Sequence, residues 1–347
     1  MSTVLDIGQL ILGIAILYWG AEWLIRGSAS LARAFGVKPL VIGLTVVAYG
    51  TSAPELAVAT KTALAHSQPI ALGTVIGSCA ANISLILGLT ALISPPTVDG
   101  RIIRREVPVL VGSAIAVPIL FRNGVLSELE GALLVGCAII FTIVTLTVSA
   151  RLDPDAALAD YEEELDPASS SSASLATMSR AGTAEESASR IGGRARPRAT
   201  RVTATVMSFV GIILLVTGSH FFVKGGRGIA AEVGMSERML GLTVISIGCA
   251  LPELIGSLVA ASRGHSALAV GSVIGSNLLN VFLVLGVTAY LGPIRLGERM
   301  HIVDLVGLVA ITLLGVLTLR GSRRISRLEG GILVAAYVTF IICAAIL

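Results

Sequence analysis

One apolar stretch occurs twice in this sequence. Residues 43–92 and 241–290 align without a gap at a separation of 198 positions, and 21 of the 50 aligned residues are identical. The first copy reads GLTVVAYGTSAPEL and then ALGTVIGSCAANISLILGLTA; the second reads GLTVISIGCALPEL and then AVGSVIGSNLLNVFLVLGVTA. Apolar helices share leucine and valine by chance, but they do not share Pro-Glu and Gly-Ser-x-x-x-Asn at fixed places. The chain is therefore predicted to consist of two related halves.

The composition excludes most soluble classes of protein. Of the 347 residues, 54% are hydrophobic and 14% are charged, whereas about 25% are charged in an average soluble domain. One soluble core of this size cannot hide so much apolar surface. The net charge of +3 comes from basic residues scattered over many short loops, so no nucleic-acid partner is expected. We expect a polytopic membrane protein whose surroundings are the lipid bilayer.

Ten segments have the roughly 20 apolar residues that a transmembrane helix needs. They are 6–25, 39–62, 69–93, 104–121, 126–149, 203–223, 238–261, 266–291, 302–319 and 328–346. Five segments in each half is an odd number, so the halves must have opposite orientation, which is a transporter architecture. The predicted fold class is an all-α membrane protein of ten transmembrane helices, formed by two inverted five-helix repeats with broken ion-binding helices. The repeats are predicted over 1–150 and 203–347.

The loops predict the orientation and one linker. Of the 25 basic residues, 18 fall in the loops after odd-numbered segments, which are therefore expected to be cytoplasmic, with both termini outside. Residues 151–202 begin acidic, continue as a Ser/Ala-rich tract and end basic, without apolar residues for a core. They are predicted to form a disordered cytoplasmic linker; a regulatory calcium-binding role for the acidic run is the alternative.

Two glutamates lie at equivalent positions inside apolar segments. Glu55 and Glu253 both follow a proline. A carboxylate in the middle of a bilayer costs at least ~2.5 kcal/mol on insertion scales, so each needs a function or a partner. The structural alternative is a neutral glutamate hydrogen-bonded to a neighbouring helix. We expect that Pro54 and Pro252 free the carbonyl groups four residues earlier, which could then face a polar cavity.

Further oxygen donors surround these glutamates in the sequence. Thr51 lies four residues before Glu55 and shares its helix face, and Ser52 is adjacent; either hydroxyl could instead bond to its own helix. Both copies carry Gly-Ser-x-x-x-Asn, which contributes Asn82 and Asn280. The glycines of this motif could serve packing alone. Carboxylate, amide, hydroxyl and carbonyl oxygens suit hard cations, above all Ca²⁺, and two glutamates neutralise one divalent ion.

These motifs resemble the sodium/calcium exchanger family of the calcium/cation antiporter superfamily. GTSAPEL and GSCAAN resemble its first alpha-repeat, and GCALPEL and GSNLLN resemble its second. The resemblance implies Ca²⁺ exchange against Na⁺ by alternating access, in which the first and sixth helices slide against the core. It also implies a set of ion ligands, whose central members are Glu55, Asn82, Glu253 and Asn280 and whose flanking members are Thr51, Ser52, Ser78 and Ser276.

The sequence departs from the family pattern at four positions. Cys249 and Ala250 stand where the second repeat usually has Thr and Ser, and Asn280 stands where many sodium-coupled members have Asp. Cys79 replaces the Asn of Gly-Ser-Asn. The predicted pocket therefore carries at most two negative charges, which suit one Ca²⁺, two protons or two Na⁺.

The expected function is secondary active antiport of Ca²⁺ against Na⁺, with no enzymatic activity and no cofactor. Exchange of Ca²⁺ or another cation against H⁺ through the same glutamates is the first alternative. A cation channel and an intramembrane enzyme are more distant alternatives, because the sequence shows no repeated selectivity loop and no nucleophile–base pair. We expect inorganic cations as partners, a prokaryotic inner membrane as location and a monomer as the assembly.

Overall fold

The computed structural model describes residues 2–35, 39–64, 68–98, 100–149, 198–232, 234–296, 302–321 and 324–346. These residues are mostly helical, as the apolar composition predicts. The predicted linker lies outside the described residues up to position 197. Its last five residues are an exception, because the following helix already begins at Arg198. The prediction that the linker extends to 202 is therefore wrong at this end.

The helices of the first half follow the first five apolar segments. α1 is Ser2–Phe35, α4 is Gly100–Leu120 and α5 is Glu128–Ser149. α2 covers 39–64 and consists of Pro39–Ile42, a π-helical turn at Gly43–Val47, Ala48–Thr51 and Ala53–Leu64. α3 covers 68–93 and consists of Gln68–Ala80, a π-helical turn at Ala81–Ile86, and Leu87–Ile93.

The helices of the second half have the same order. α6 is Arg198–Glu232, α9 is Ile302–Gly321 and α10 is Arg327–Ile346. α7 covers 237–262 and consists of Glu237–Leu240, a π-helical turn at Gly241–Ile245, and Ser246–Ser262. α8 covers 266–291 and consists of Ser266–Leu279, a π-helical turn at Asn280–Leu285, and Gly286–Leu291.

Seven of the described helices are long and apolar enough to cross a membrane. They are Val4–Leu31, Ile70–Ile93, Glu128–Thr147, Arg201–Glu232, Arg238–Ser262, Ser266–Leu291 and Arg327–Ile346. α9 contains a shorter apolar helix, Val303–Leu319. α2 is divided at Ser52, and α4 begins with a charged turn and contains two prolines. The count of ten transmembrane helices stays a prediction at this point.

The first and sixth helices are much longer than their predicted spans. α1 has 34 residues where 6–25 was expected, and α6 has 35 where 203–223 was expected. At 1.5 Å per residue each is about 50 Å long, well beyond the roughly 30 Å of bilayer hydrocarbon. The apolar sequence identifies only the part of each helix that lies in the hydrocarbon. The helices continue into the polar boundary of the bilayer, and in α1 Glu22 pairs with Arg26 near this boundary.

α1 and α6 are antiparallel and pack backbone against backbone. A Cβ atom added to Gly13 would lie 2.8 Å from the carbonyl oxygen of Gly218, and one added to Gly20 would lie 3.1 Å from that of Gly211. Gly211 is the repeat equivalent of Gly13, and Gly20 is the repeat equivalent of Gly218, each at a separation of 198 positions. The two contacts are therefore equivalent when the halves are exchanged. Only glycine allows this close approach, and a side chain at these positions would separate the two helices.

Two further contacts between the halves are reciprocal in the same sense, with a separation of 199 instead of 198 positions after α4 and α9. β1, Val125–Leu126, pairs antiparallel with β2, Ile294–Arg295, and Thr97 forms an isolated antiparallel bridge with Arg324. Matching capping boxes begin α5 and α10: the hydroxyl of Ser127 donates to Glu130 at 2.7 Å, and that of Ser326 donates to Glu329 at 2.7 Å. The similarity of the halves therefore extends from the repeated motifs to α5 and α10.

The centre of the molecule is built from the repeated motifs. In the apolar windows of α3 and α8, 94% and 89% of residues are buried, against 22% in α1 and 33% in α6. The π-helical turn of α2 packs on α8, and the π-helical turn of α7 packs on α3. Such turns interrupt the regular i→i−4 hydrogen bonds and are frequent at functional sites. They bring the four motif-bearing helices into one cluster.

Candidate functional site

Both predicted glutamates lie in this buried centre. Glu55 is on α2 and Glu253 is on α7, and both are fully buried, with 0% of their surface exposed. Ser52, three positions before Glu55, donates a hydrogen bond to Glu253, so the two glutamates belong to one cluster. Neither oxygen of Glu55 has a hydrogen-bond partner among the described residues, and the same is true of Oε2 of Glu253. A buried carboxylate without hydrogen bonds is costly, so these atoms indicate a site for a positively charged ligand.

The two prolines that precede the glutamates have different effects on their helices. α2 is interrupted beside Pro54, where Ser52 has φ −78° and ψ 0°, whereas α7 continues through Pro252. The prediction of two broken helices is therefore correct for α2 and wrong for α7. Pro252 cannot donate to the carbonyl group of Gly248, but the hydroxyl of Ser219 on α6 donates to it at 3.1 Å.

This replacement bond has no counterpart in the first half. The position equivalent to Ser219 is Ala21, which has no hydroxyl to offer the carbonyl group of Gly50. The sequence predicts that both prolines free a carbonyl oxygen for the site. The carbonyl oxygen of Gly248 instead already accepts a hydrogen bond from Ser219. The sequence did not predict a role for Ser219, although the alignment of the two halves pairs this serine with Ala21.

Hydroxyl groups of α2 contact both α7 and α8. The hydroxyl of Ser52 donates to Oε1 of Glu253 at 3.4 Å. Thr51 Oγ1 and Ser276 Oγ are 3.2 Å apart. Thr51 also donates to the carbonyl group of Val47 at 3.0 Å, as the helix-bonding alternative expects, and its role as an ion ligand stays a prediction. For Ser52 the contact across to α7 is the one observed.

Two buried cysteines stand at motif positions of the cluster. Cys249 corresponds to Thr51 in the other half, and Cys79 corresponds to Asn277. All four cysteines of the chain are free, and these two are buried. Ala250, the counterpart of Ser52, is buried and has no polar atom in its side chain.

The two asparagines lie at the π-helical turns. Asn82 belongs to the turn of α3, which contacts α7, and Asn280 begins the turn of α8, which contacts the second part of α2. Both are fully buried. Neither the oxygen nor the nitrogen of either amide has a hydrogen-bond partner among the described residues. Each asparagine is thereby set beside the helix that carries the glutamate of the other half.

The serines of Gly-Ser-x-x-x-Asn make different contacts in the two halves. Ser276 reaches Thr51, as described above, whereas the hydroxyl of Ser78 donates to the carbonyl group of Ser246 at 3.4 Å. The neighbouring glycines explain how the helices come so close. A Cβ atom on Gly77 would lie 2.7 Å from the carbonyl oxygen of Leu242, and one on Gly275 would lie 2.8 Å from Cβ of Ala48. The packing role of these glycines is therefore real.

Two polar residues of the cluster were missed from the sequence. Ser246 occupies the position of Ala48 and hydrogen-bonds within α7, to the carbonyl group of Leu242 at 2.5 Å. Asn277 is buried, and its amide nitrogen has no hydrogen-bond partner among the described residues. Its position corresponds to Cys79 in the first repeat. Because the two repeats differ there, a search for polar residues that both repeats share could not select it.

The donor set suits a hard cation. No group of three or more His, Cys, Asp or Glu side chains with metal-binding geometry occurs in the described part of the chain. The buried polar groups of the cluster are instead carboxylate, amide and hydroxyl groups from four helices. These are the ligands of Ca²⁺ and of alkali cations rather than of zinc or copper.

Comparisons with known proteins agree with this chemistry. The family model described as sodium/calcium exchanger protein matches residues 5–147 and again 203–345. The sodium/calcium exchanger MaX1 of Methanosarcina acetivorans is 28% identical over 344 residues, which cover 96% of both chains. The inner membrane protein YrbG of Escherichia coli is 30% identical over 284 residues, or 82% of this chain and 79% of its own length.

Solved structures extend the similarity to the fold. A structure of the sodium-calcium exchanger NCX_Mj, soaked with 10 mM Na⁺ and zero Ca²⁺, superposes with a TM-score of 0.75 at 29% identity and covers 98% of this chain and 99% of its own. The apolar helices and this match identify an integral membrane protein. With both halves matched by the family model, the chain belongs to the sodium/calcium exchanger family.

Proposed function

We propose that this protein is a secondary active antiporter that exchanges Ca²⁺ for Na⁺ across the membrane by alternating access. The observation that carries the proposal is the pair of fully buried glutamates with unpartnered carboxylate oxygens, Glu55 and Glu253. The ligands are proposed to be this pair together with Asn82, Asn280, Thr51, Ser52, Ser78 and Ser276.

The proposed architecture is ten transmembrane helices in two inverted repeats, 1–150 and 203–347, joined by a cytoplasmic linker that begins at 151 and ends before α6 starts at Arg198. The reciprocal contacts of the two halves support it. So do the loops, because Thr97, in the loop after the third segment, pairs with Arg324, in the loop after the ninth. The loops after the fourth and eighth segments pair with each other through β1 and β2.

The proposed coupling is competition for shared charge. In one state Glu55 and Glu253 bind Ca²⁺ together, and in the other Na⁺ occupies the same carboxylates. An empty site with two negative charges in a low-dielectric interior resists reorientation, so one ion leaves only when the other replaces it. We further propose that the chain is a monomer in a prokaryotic inner membrane, with both termini outside.

Exchange against H⁺ is the second candidate function. Cys249 and Ala250 provide no hydroxyl oxygen near Glu55, and Asn280 provides no third carboxylate. Protons need fewer oxygen ligands than Na⁺, so these positions favour H⁺ more than a fully hydroxyl-lined site would.

The test is ⁴⁵Ca²⁺ uptake into proteoliposomes with the gradients varied separately. Uptake is measured with an outward Na⁺ gradient at equal pH, then with a pH gradient without sodium, and then with K⁺ alone. Uptake that follows only the Na⁺ gradient supports the first proposal, and uptake that follows only the pH gradient supports the second. Uptake that runs down the Ca²⁺ gradient without any counter-ion would indicate a channel.

Glu55→Gln is expected to abolish exchange, because it removes one of the two charges that neutralise Ca²⁺. The matched control is Glu106→Gln, which removes a buried glutamate of α4 outside the site and should retain exchange. Calcium flux retained by Glu55→Gln at the level of Glu106→Gln would refute the assignment of the site.

A further inference from the structure

One short turn of α2 carries a proposed ion ligand, and the turn lies between two irregularities of the helix. Ala48–Thr51 is a single α-helical turn that follows the π-helical turn Gly43–Val47 and ends at the interruption at Ser52. The regular hydrogen bonds of an α-helix are disturbed at such irregularities, so α2 itself fixes this turn less firmly than a continuous helix would. The direction of the hydroxyls of Thr51 and Ser52 therefore depends on contacts with neighbouring helices.

Three consecutive residues of this turn contact three different helices. Thr51 Oγ1 is 3.2 Å from Ser276 Oγ on α8. Gly50 faces α6 so closely that an added Cβ atom would lie 2.8 Å from a side chain of that helix. The hydroxyl of Tyr49 is 2.6 Å from Oγ1 of Thr142 on α5. Since successive residues of a helix point about 100° apart, these contacts together fix the rotation of the turn about its axis.

The hydroxyl of Tyr49 is the donor of its bond to α5. The hydroxyl of Thr142 donates to the carbonyl group of Ala138 at 2.8 Å, and a hydroxyl group has a single hydrogen to donate. Oγ1 of Thr142 is thus left as the acceptor for Tyr49. A buried or half-buried tyrosine hydroxyl needs a partner of this kind, so the bond holds the Tyr49 side chain in one position.

The second half of the sequence does not repeat this bond. Ile247 and Ile341 stand at the positions equivalent to Tyr49 and Thr142, and isoleucine has no hydroxyl. In that half α7 continues without interruption from Ser246 to Ser262. The bond to α5 is therefore present in the half whose helix is interrupted beside its proposed ligands.

We infer that Tyr49 is a positioning residue for ion binding: its hydrogen bond to Thr142 fixes the rotation of the turn and so directs the hydroxyls of Thr51 and Ser52 toward the bound ion. This inference rests on the proposed function and deepens it, because Tyr49 is not itself a proposed ligand. Without the bond the turn can rotate, and the ion is held less tightly throughout the cycle. A uniform loss of binding raises the ion concentration for half-maximal transport and leaves the maximal rate unchanged.

The experiment measures ⁴⁵Ca²⁺ uptake by full-length variants in proteoliposomes, driven by the ion gradient that is effective for the wild type. Tyr49→Phe and Thr142→Val each remove one hydroxyl of the bond. Each is expected to raise the Ca²⁺ concentration for half-maximal uptake about fivefold, and the double variant should raise it no further, because both changes remove the same bond. Thr142→Ser keeps the hydroxyl and should behave nearly as the wild type does.

Two control variants remove hydroxyl groups elsewhere. The hydroxyl of Thr339 on α10 donates to the carbonyl group of Ala335 at 2.9 Å, which is the bond that Thr142 makes within α5. Tyr290 at the end of α8 is 58% exposed. Thr339→Val and Tyr290→Phe should leave the Ca²⁺ concentration for half-maximal uptake unchanged.

A merely structural role of Tyr49 would produce a different result. Fewer folded molecules would lower the maximal rate and leave the half-maximal Ca²⁺ concentration as it is in the wild type. That result for Tyr49→Phe, a wild-type response, or additive effects in the double variant would overturn the inference while leaving the antiporter proposal intact. Absence of wild-type uptake driven by any ion gradient would overturn the proposed function and this inference with it.

Discussion

An ion-pair cluster at one end of α1 ties this helix to the core, and its energy can be measured. The carboxylate of Glu22 is only 8% exposed and binds two arginines. Arg26 lies one turn further along α1, at 2.5 Å, and Arg263 reaches over from the end of α7. The first pair lies within one helix, whereas the second joins two parts of the fold.

The exposure of the arginines sets the size of each contribution. Arg26 is 57% exposed, and exposed pairs at i,i+4 contribute about 0.3–0.5 kcal/mol. Arg263 is 37% exposed and meets a carboxylate that is nearly buried. A charge-assisted hydrogen bond contributes about 1.5–3 kcal/mol, and the partial exposure of Arg263 reduces this to about 1–2 kcal/mol.

Two double-mutant cycles test this ranking. Glu22→Gln is combined with Arg263→Gln in one cycle and with Arg26→Gln in the other, and reversible unfolding in detergent micelles yields the free energies. We expect a coupling energy of about 1 kcal/mol or more between Glu22 and Arg263 and less than about 0.5 kcal/mol between Glu22 and Arg26. Equal couplings, or a larger one for Arg26, would refute the argument that the pair ties α1 to the core.

The sequence does not repeat this tie in the other half. The positions that correspond to Glu22 and Arg263 in the other half of the repeat are His220 and Ala65, which cannot form this ion pair. If α1 moves against the core during transport, the pair favours the conformation described here by its coupling energy. A coupling of about 1 kcal/mol corresponds to a roughly fivefold change in population.

Three further substitutions test the surroundings of the site. Ser219→Ala should lower the free energy of unfolding by about 1 kcal/mol, because the buried carbonyl group of Gly248 loses its donor; unchanged stability would show that this bond is not needed in α7. Ser52→Ala should raise the Ca²⁺ concentration for half-maximal exchange about fivefold, since it removes about 1 kcal/mol of interaction with Glu253 or its bound ion; an unchanged value in ⁴⁵Ca²⁺ uptake would exclude Ser52 as a ligand. Ala250→Ser introduces the hydroxyl that Ser52 provides in the other half and should increase the apparent affinity for Na⁺ in Na⁺-driven uptake, and a decrease would contradict the argument that a hydroxyl ligand is missing at this position.

The repeated motifs predicted the central cluster well. Pro-Glu and Gly-Ser-x-x-x-Asn identified four helices before any of their contacts was known, and the structure brings Thr51 to Ser276 and Ser52 to Glu253. A polar side chain inside an apolar segment must find partners in the molecule, and two such segments of equivalent sequence can find them in each other. This is why the sequence was informative at the centre.

Helix ends and helix breaks were less predictable, because they depend on neighbours. Hydropathy locates the hydrocarbon but not the end of α1, which continues past Glu22. Pro252 predicts a broken helix by its own chemistry, yet α7 continues because Ser219 on another helix supplies the missing donor. A single-sequence argument has no access to a donor that arrives from 33 positions earlier, where Ser219 stands relative to Pro252.

The differences between the two halves are more informative about this chain than their identities. An ideal repeat would place equal ligands on Glu55 and Glu253, and no ion would distinguish the two carboxylates. Cys249 and Ala250 remove that equality while leaving the charge unchanged. Because the two charges are kept and the hydroxyl groups are lost on one side only, a divalent cation that bridged both glutamates would keep its charge balance, whereas additional monovalent ions would find fewer hydroxyl ligands. At the proposed site, we therefore expect selection between ions to depend on the neutral oxygens around each glutamate and not on the glutamates alone.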